Sequence, residues 1–230
     1  MHIYNLHTNS KLASLDVPYG NYTIPHCNTS VFGNEFGSEN SIAPLLYVSQ
    51  WNGERNCLVY DITLTEGVYA VELKQVISTS GITQAVEGIG MRDWIVDTDN
   101  NFIYSMSYYI NSDSTAEGNK TMFVKFALPT LSDGNEVVLT QPDVLDNFEL
   151  EFFKFFQDKC YNGGKIYIAA GMGNYPTITK LRVLDLTTKQ IVTTIPLGDT
   201  YDAEPEGFDI YKDKLLMTYG SMSLYNISTF

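Results

Sequence analysis

Residues 181–199 read LRVLDLTTKQIVTTIPLGD. Apolar and polar residues alternate into a polar turn and alternate again out of it, the period-2 pattern of two half-buried strands joined as a hairpin. The inward side is expected to hold Val183, Leu186, Ile191 and Ile195 or their immediate neighbours, because a period of 2 leaves the face open across the turn. The pattern recurs. HIYNLHTNSKLASLDVP begins at His2, CLVYDITLTEGVYAVELKQVI at Cys57 and MFVKFALPTLSDGNEVVLT at Met122, and a truncated copy, MSLYNISTF, closes the chain.

Between these hairpins lies a second kind of unit. DWIVDTDNNFIYSMSYY starts at Asp93 and EPEGFDIYKDKLLMTYG at Glu204, with looser copies in FFKFFQDKCYNGGKIYIAAG from Phe152 and in HCNTSVFG followed by PLLYVSQW. Their turns, Asp99-Asn100-Asn101, Asn162-Gly163-Gly164 and Lys212-Asp213, use residues that accept the backbone conformations of tight hairpins. The chain thus alternates an inner-type with an outer-type hairpin, which writes a four-stranded antiparallel sheet again and again. Such a sheet cannot bury both faces alone, and stacking copies around an axis does so. The expected fold is therefore all-β, a β-propeller of about five blades, with four to six admissible on the repeat count. It forms one domain over residues 1–230, whose first blade lacks its inner strands. Either the N-terminal strands complete the last blade or the chain is an N-terminally truncated fragment. The segment PDVLDNFELEFFKFFQDK (142–159) reads equally as strand or as a helix opening at Pro142.

RVLDLTTKQIVTTIPLG resembles the repeat of the YVTN family of β-propellers, and GKIYIAAG before it resembles that family's inner strand. EPEGFDIYKDKLLMTYG is similar to inner strands of related six-bladed, strictosidine-synthase-like propellers. The likeness covers about 60 residues and is specific for fold, since such families hold both enzymes and binding modules. It implies a bacterial, secreted, periplasmic or cell-surface protein whose signal sequence lies upstream.

Composition narrows the function. The net charge is −13, from 14 Lys+Arg against 27 Asp+Glu, which argues against partners that need clustered positive charge, namely nucleic acid and anionic membrane. No apolar run is long enough to span a bilayer. The 13% aromatic content favours strands. Cys27, Cys57 and Cys160 are too widely spaced for a disulfide framework or a zinc site, and buried free thiols are expected. No nucleophile elbow, phosphate loop or dinucleotide fingerprint occurs. DTDNN (97–101) begins like a calcium loop, but Phe102 and Tyr108 stand where glycine and glutamate belong, so it reads as a hairpin turn.

Two surfaces are singled out. Arg92, Asp93 and Trp94 at an inner-strand start, with Trp51 and Tyr175, offer aromatic and polar groups suited to a protein or glycan. Asp202, Glu204 and Glu206 lie in an acidic stretch, and the resemblance to six-bladed propellers sets Glu206 where a channel-facing ligand stands. The leading expectation is a non-catalytic, cofactor-free binding module that displays loops on one face. The alternatives are a Ca2+-dependent lactonase, hydrolase or lyase using Glu206 in the channel, and a structural propeller of a larger polypeptide.

Overall fold

The computed structural model describes residues 1–5, 7–8, 10–19, 27–50, 55–84, 93–109, 120–151, 156–171, 180–196, 205–211, 214–219 and 225–228. Among them the chain is all-β, with five sheets and two short 3-10 turns. A two-stranded sheet opens it, β1 (His2–Asn5) with β2 (Ser10–Ser14). The first large sheet holds β3 (Cys27–Phe32), β4 (Leu46–Gln50), β5 (Cys57–Thr65) and β6 (Val68–Ser80). The second begins with β7 (Asp93–Asp97), β8 (Phe102–Tyr109) and β9 (Lys120–Ala127). After β10 (Glu136–Thr140) comes β11 (Asp146–Glu151), which completes it. The third comprises β12 (Phe156–Asn162), β13 (Lys165–Ala170), β14 (Lys180–Asp185) and β15 (Gln190–Pro196). The last has β16 (Pro205–Tyr211), β17 (Lys214–Tyr219) and β18 (Tyr225–Ser228).

The alternation of two hairpin types is observed as read: β3–β4, β7–β8, β12–β13 and β16–β17 are antiparallel pairs, and the second strand of each pairs in turn with β5, β9, β14 and β18. Turn chemistry fixes the hairpins. Asp97 Oδ1 accepts the backbone N–H groups of Asp99 and Asn100 at 3.2 and 3.1 Å, and Asn101 takes the left-handed conformation at φ 57°. That turn joins β7 to β8, as the sequence predicted. Gly163 and Gly164, at φ 54° and 75°, close β12 onto β13 as residues of a primed turn do. The 142–159 segment is resolved toward strand, with a 3-10 turn at Gln141–Asp143 and then β11.

One outer hairpin differs from its sequence reading. MFVKFALPTLSDGNEVVLT reads as β9 followed by its own partner. Instead β10 crosses to the neighbouring sheet and lies parallel to β6, while β11 takes the edge of β9. Two T-x-x-D turns, Thr130–Asp133 and Thr140–Asp143, bracket the excursion, each threonine N–H donating to the aspartate at 2.8 and 2.7 Å. Gln75, inside the first sheet, donates to the carbonyls of Thr130 and Gly134, both at 2.7 Å. A side-chain amide one residue before the parallel pairing thereby anchors the incoming loop.

The sheets pack face to face. Val31, Tyr47, Val59 and Ile77 of the first sheet meet Trp94, Val96, Val124 and Phe126 of the second. The opposite side of the second, with Ile95, Met106 and Phe123, meets Ile166, Ile168 and Leu184 of the third. Strands near the centre are covered on both sides, so β4 and β7 are buried at every residue, whereas β11 and β15 alternate. In the 181–199 hairpin a register irregularity between Val183 and Leu184 divides the expected inward set. Leu184, Leu186 and Ile191 face the second sheet. Each large side chain buried in this way contributes roughly 1.5–3 kcal/mol.

Candidate functional site

The first strands of the large sheets run together. At their beginnings Thr29 (β3), Asp93 (β7) and Lys159 (β12) meet. The Lys159 ammonium lies 3.1 Å from Asp93 Oδ2, donates to Thr29 Oγ1 at 3.2 Å and donates to the Gln157 carbonyl at 2.7 Å. Both ion-pair side chains are 0% exposed. A sealed ion pair of this kind holds only while each charge keeps its partner, because an uncompensated buried charge is very costly. At the other ends of the same strands, Asn34 donates its amide to the Thr98 carbonyl and, at 3.2 Å, to Asn101 Oδ1. The Tyr161 hydroxyl donates to Asp99 Oδ2 at 2.8 Å. Three sheets are therefore tied at both ends of their first strands, which run in the same direction.

Beside this junction is a cleft of about 570 Å³ bounded by β3, β7, β12 and β16 together. Its polar walls are Ser30, Asn34, Thr98, Asp158, Tyr161 and Asp209. Asp158 is buried, and its Oδ1 accepts the Lys159 N–H at 2.7 Å. Loss of hydration raises the Asp209 carboxyl above its ordinary range, against a weaker opposing bond from the Ile210 N–H. Burial, reinforced by the charges of Asp209 and Asp158, pushes the Cys160 thiol far up. This thiol is held away from the thiolate form, the opposite of what a nucleophile needs. The arrangement offers carboxylates, an amide, hydroxyls and an aromatic ring, a set that suits a hydroxyl-rich or positively charged ligand.

The residues expected at the binding surface fall differently. Trp94 is 0% exposed, packed between the first two sheets with its ring 6.5 Å from that of Phe126 and its indole N–H donating to the Arg55 carbonyl at 3.3 Å. Its backbone N–H donates to Ser49 Oγ at 2.8 Å. Asp93 is the partner of Lys159. Both are interior, because β7 has a sheet on each side, so of that expected surface Asp93 and Trp94 are packed among the sheets. Trp51, Arg92, Tyr175, Asp202 and Glu204 lie outside the described residues, and of Glu206 only the backbone, in β16, is described. Among the described residues no group of three or more His, Cys, Asp or Glu side chains is arranged to hold a metal ion. The three cysteines are free thiols, Cys57 and Cys160 buried as expected and Cys27 exposed.

Lys159, Asp158 and Asn34 were not singled out in the sequence. The signal available was a lysine between Asp158 and Cys160 in an otherwise aromatic strand, DKC after FFKFFQ, where an ordinary surface lysine and a buried one look alike. No protein-family model matches the chain, and no curated protein matches it.

Proposed function

We propose that the chain is a β-propeller of about five blades that acts as a non-catalytic recognition module. It binds a protein or glycan at the ring face where the first strands gather. The observation that carries this reading is the cleft of about 570 Å³ framed by the first strands of four successive sheets. Its volume lies in the range of small-ligand sites. Rigid strands tied at both ends preorganise its polar groups, so little ordering entropy is lost on binding. The raised Cys160 thiol supports binding over covalent chemistry.

The test is a glycan array followed by NMR titration of the strongest hit. Shifts are expected at Asn34, Thr98 and Tyr161, and Asp158→Asn should weaken binding by roughly tenfold, about 1.4 kcal/mol. Binding that leaves these resonances unmoved would count against the cleft. Asp158 and Asp209, two carboxylates that line the same cleft, favour one second reading, a Ca2+-dependent hydrolase or lyase there. It predicts a rise in Tm with millimolar Ca2+ that is lost in Glu206→Gln. A scan without that rise removes it.

A further inference from the structure

The cleft framed by β3, β7, β12 and β16 has a hydrogen-bonding polarity set by its own internal contacts. Both amide N–H bonds of Asn34 are spent, one on the Thr98 carbonyl and one on Asn101 Oδ1. The Tyr161 hydroxyl donates to Asp99 Oδ2, and its oxygen accepts the Gly164 N–H at 3.0 Å. Neither side chain keeps a donor for a ligand. A carboxylate only accepts, and two of them, Asp158 and Asp209, line the same cleft. The hydroxyls of Ser30 and Thr98 serve in either role. The cleft therefore presents mainly acceptors to whatever enters it.

The charges have the same bias. Asp158 and Asp209 come from two strands, β12 and β16, and both act on one thiol, that of Cys160. Among the described residues that line the cleft there is no lysine, arginine or histidine. Lys159, which separates Asp158 from Cys160 in the chain, is committed to Asp93 and Thr29. Asp209 Oδ1 accepts the Ile210 N–H, and among the described residues its carboxylate meets no cation. Two aromatic rings complete the lining, Tyr161, held through its hydroxyl, and Phe32, 44% exposed. Acceptors, negative charge and ring faces together match a flat cation rich in donors.

We propose that the cleft receives an arginine side chain of a partner protein. This rests on the reading of the cleft as a recognition site and narrows its occupant. The guanidinium has five N–H donors and no acceptor, so it pairs with Asp158 and Asp209 while its plane lies against the aromatic wall. A lysine ammonium brings the charge without the plane. A sugar brings hydroxyls whose oxygens find few donors here. The net charge of −13 draws a basic partner toward the whole chain, and the cleft selects the residue.

The probes are acetylated, amidated Gly-X-Gly peptides with arginine, citrulline or lysine at X, titrated into the isotope-labelled full chain and followed by NMR. Citrulline keeps the shape of arginine and loses its charge. The arginine peptide should shift Asn34, Thr98 and Tyr161. The citrulline peptide should bind roughly tenfold more weakly, and the lysine peptide should also be the weaker ligand. Asp209→Asn keeps the side-chain shape and the unfolding midpoint. It should cost the arginine peptide roughly tenfold and leave the citrulline peptide unchanged. Equal affinity for arginine and either other peptide overturns the proposal, as does arginine binding that Asp209→Asn leaves intact. If a glycan moves these resonances and the arginine peptide does not, the cleft remains a recognition site and the arginine assignment falls. If neither moves them, both fall.

Discussion

The two faces of the first sheet are built from the same strands and meet different fates. Along β5, Cys57 and Val59 turn toward the second sheet, while Leu58, Tyr60 and Ile62 turn the other way. Both sets are buried in sequence pattern and apolar in character. One face is closed by a whole sheet, with Trp94 and Phe126 filling it. The other has a short hairpin and an open groove. A strand apolar on both faces demands cover on both, and among the described residues the cover is unequal.

This contrast can be broken by measurement. The largest effect belongs to the closed face, where Trp94→Ala should cost about 3–5 kcal/mol in urea unfolding, as large buried aromatics do. On the other face Ile62→Ala should fall near the lower end of the aliphatic range, about 2 kcal/mol, because part of its surroundings can relax into the groove. Phe32→Ser should change stability by no more than about 0.5 kcal/mol. A loss at Phe32 equal to that at Trp94 would mean that the faces are equivalent and the groove is not open.

Alkaline titration tests burial across the sheets. Burial pushes the Tyr104 phenol from 10.0 up to about 12, and burial raises Tyr47 and Tyr60 in the same direction. The native state keeps these groups neutral while the unfolded chain ionises them. Stability is therefore full below pH 10 and declines as pH rises from there through about 12. Circular dichroism against pH should show the loss beginning near pH 10, and a flat profile to pH 12 would contradict the burial.

The smallest effect is expected at the surface clamp between the second and third sheets. Lys189 bonds both oxygens of Asp146, at 2.8 and 2.7 Å, with both side chains more than a third exposed. The Lys189 bond holds the Asp146 carboxyl below its ordinary range. Its contribution is present above the usual carboxylate pKa and disappears as pH falls through the lowered one. Solvent screening keeps Asp146→Asn under about 1 kcal/mol at neutral pH.

Much of this architecture was legible because alternation, turn residues and self-similarity report local structure. The hairpins at 93–109 and 156–170 follow from Asp97, Asn101, Gly163 and Gly164, whose conformational tolerance acts over a few residues. What was not legible was non-local. EVVLT (136–140) has the same strand pattern whether it pairs with β9 or crosses to β6. The crossing depends on Gln75, about 60 residues earlier. Trp94 could be read as a packing residue or as part of a binding surface, because strand propensity says which face it occupies and not what covers that face. Lys159 was overlooked because its partners, Asp93 and Thr29, come from two other sheets.

That junction is where the account is most exposed to test. A double-mutant cycle of Asp93→Asn and Lys159→Met, read by chemical unfolding, measures whether β7 and β12 meet at the centre. Each single variant should lose about 3–5 kcal/mol, and the pair should lose less than their sum by a coupling of about 1.5–3 kcal/mol. Losses that add to within about 0.5 kcal/mol would show that the two side chains do not touch, and the convergence of the first strands would fall with them.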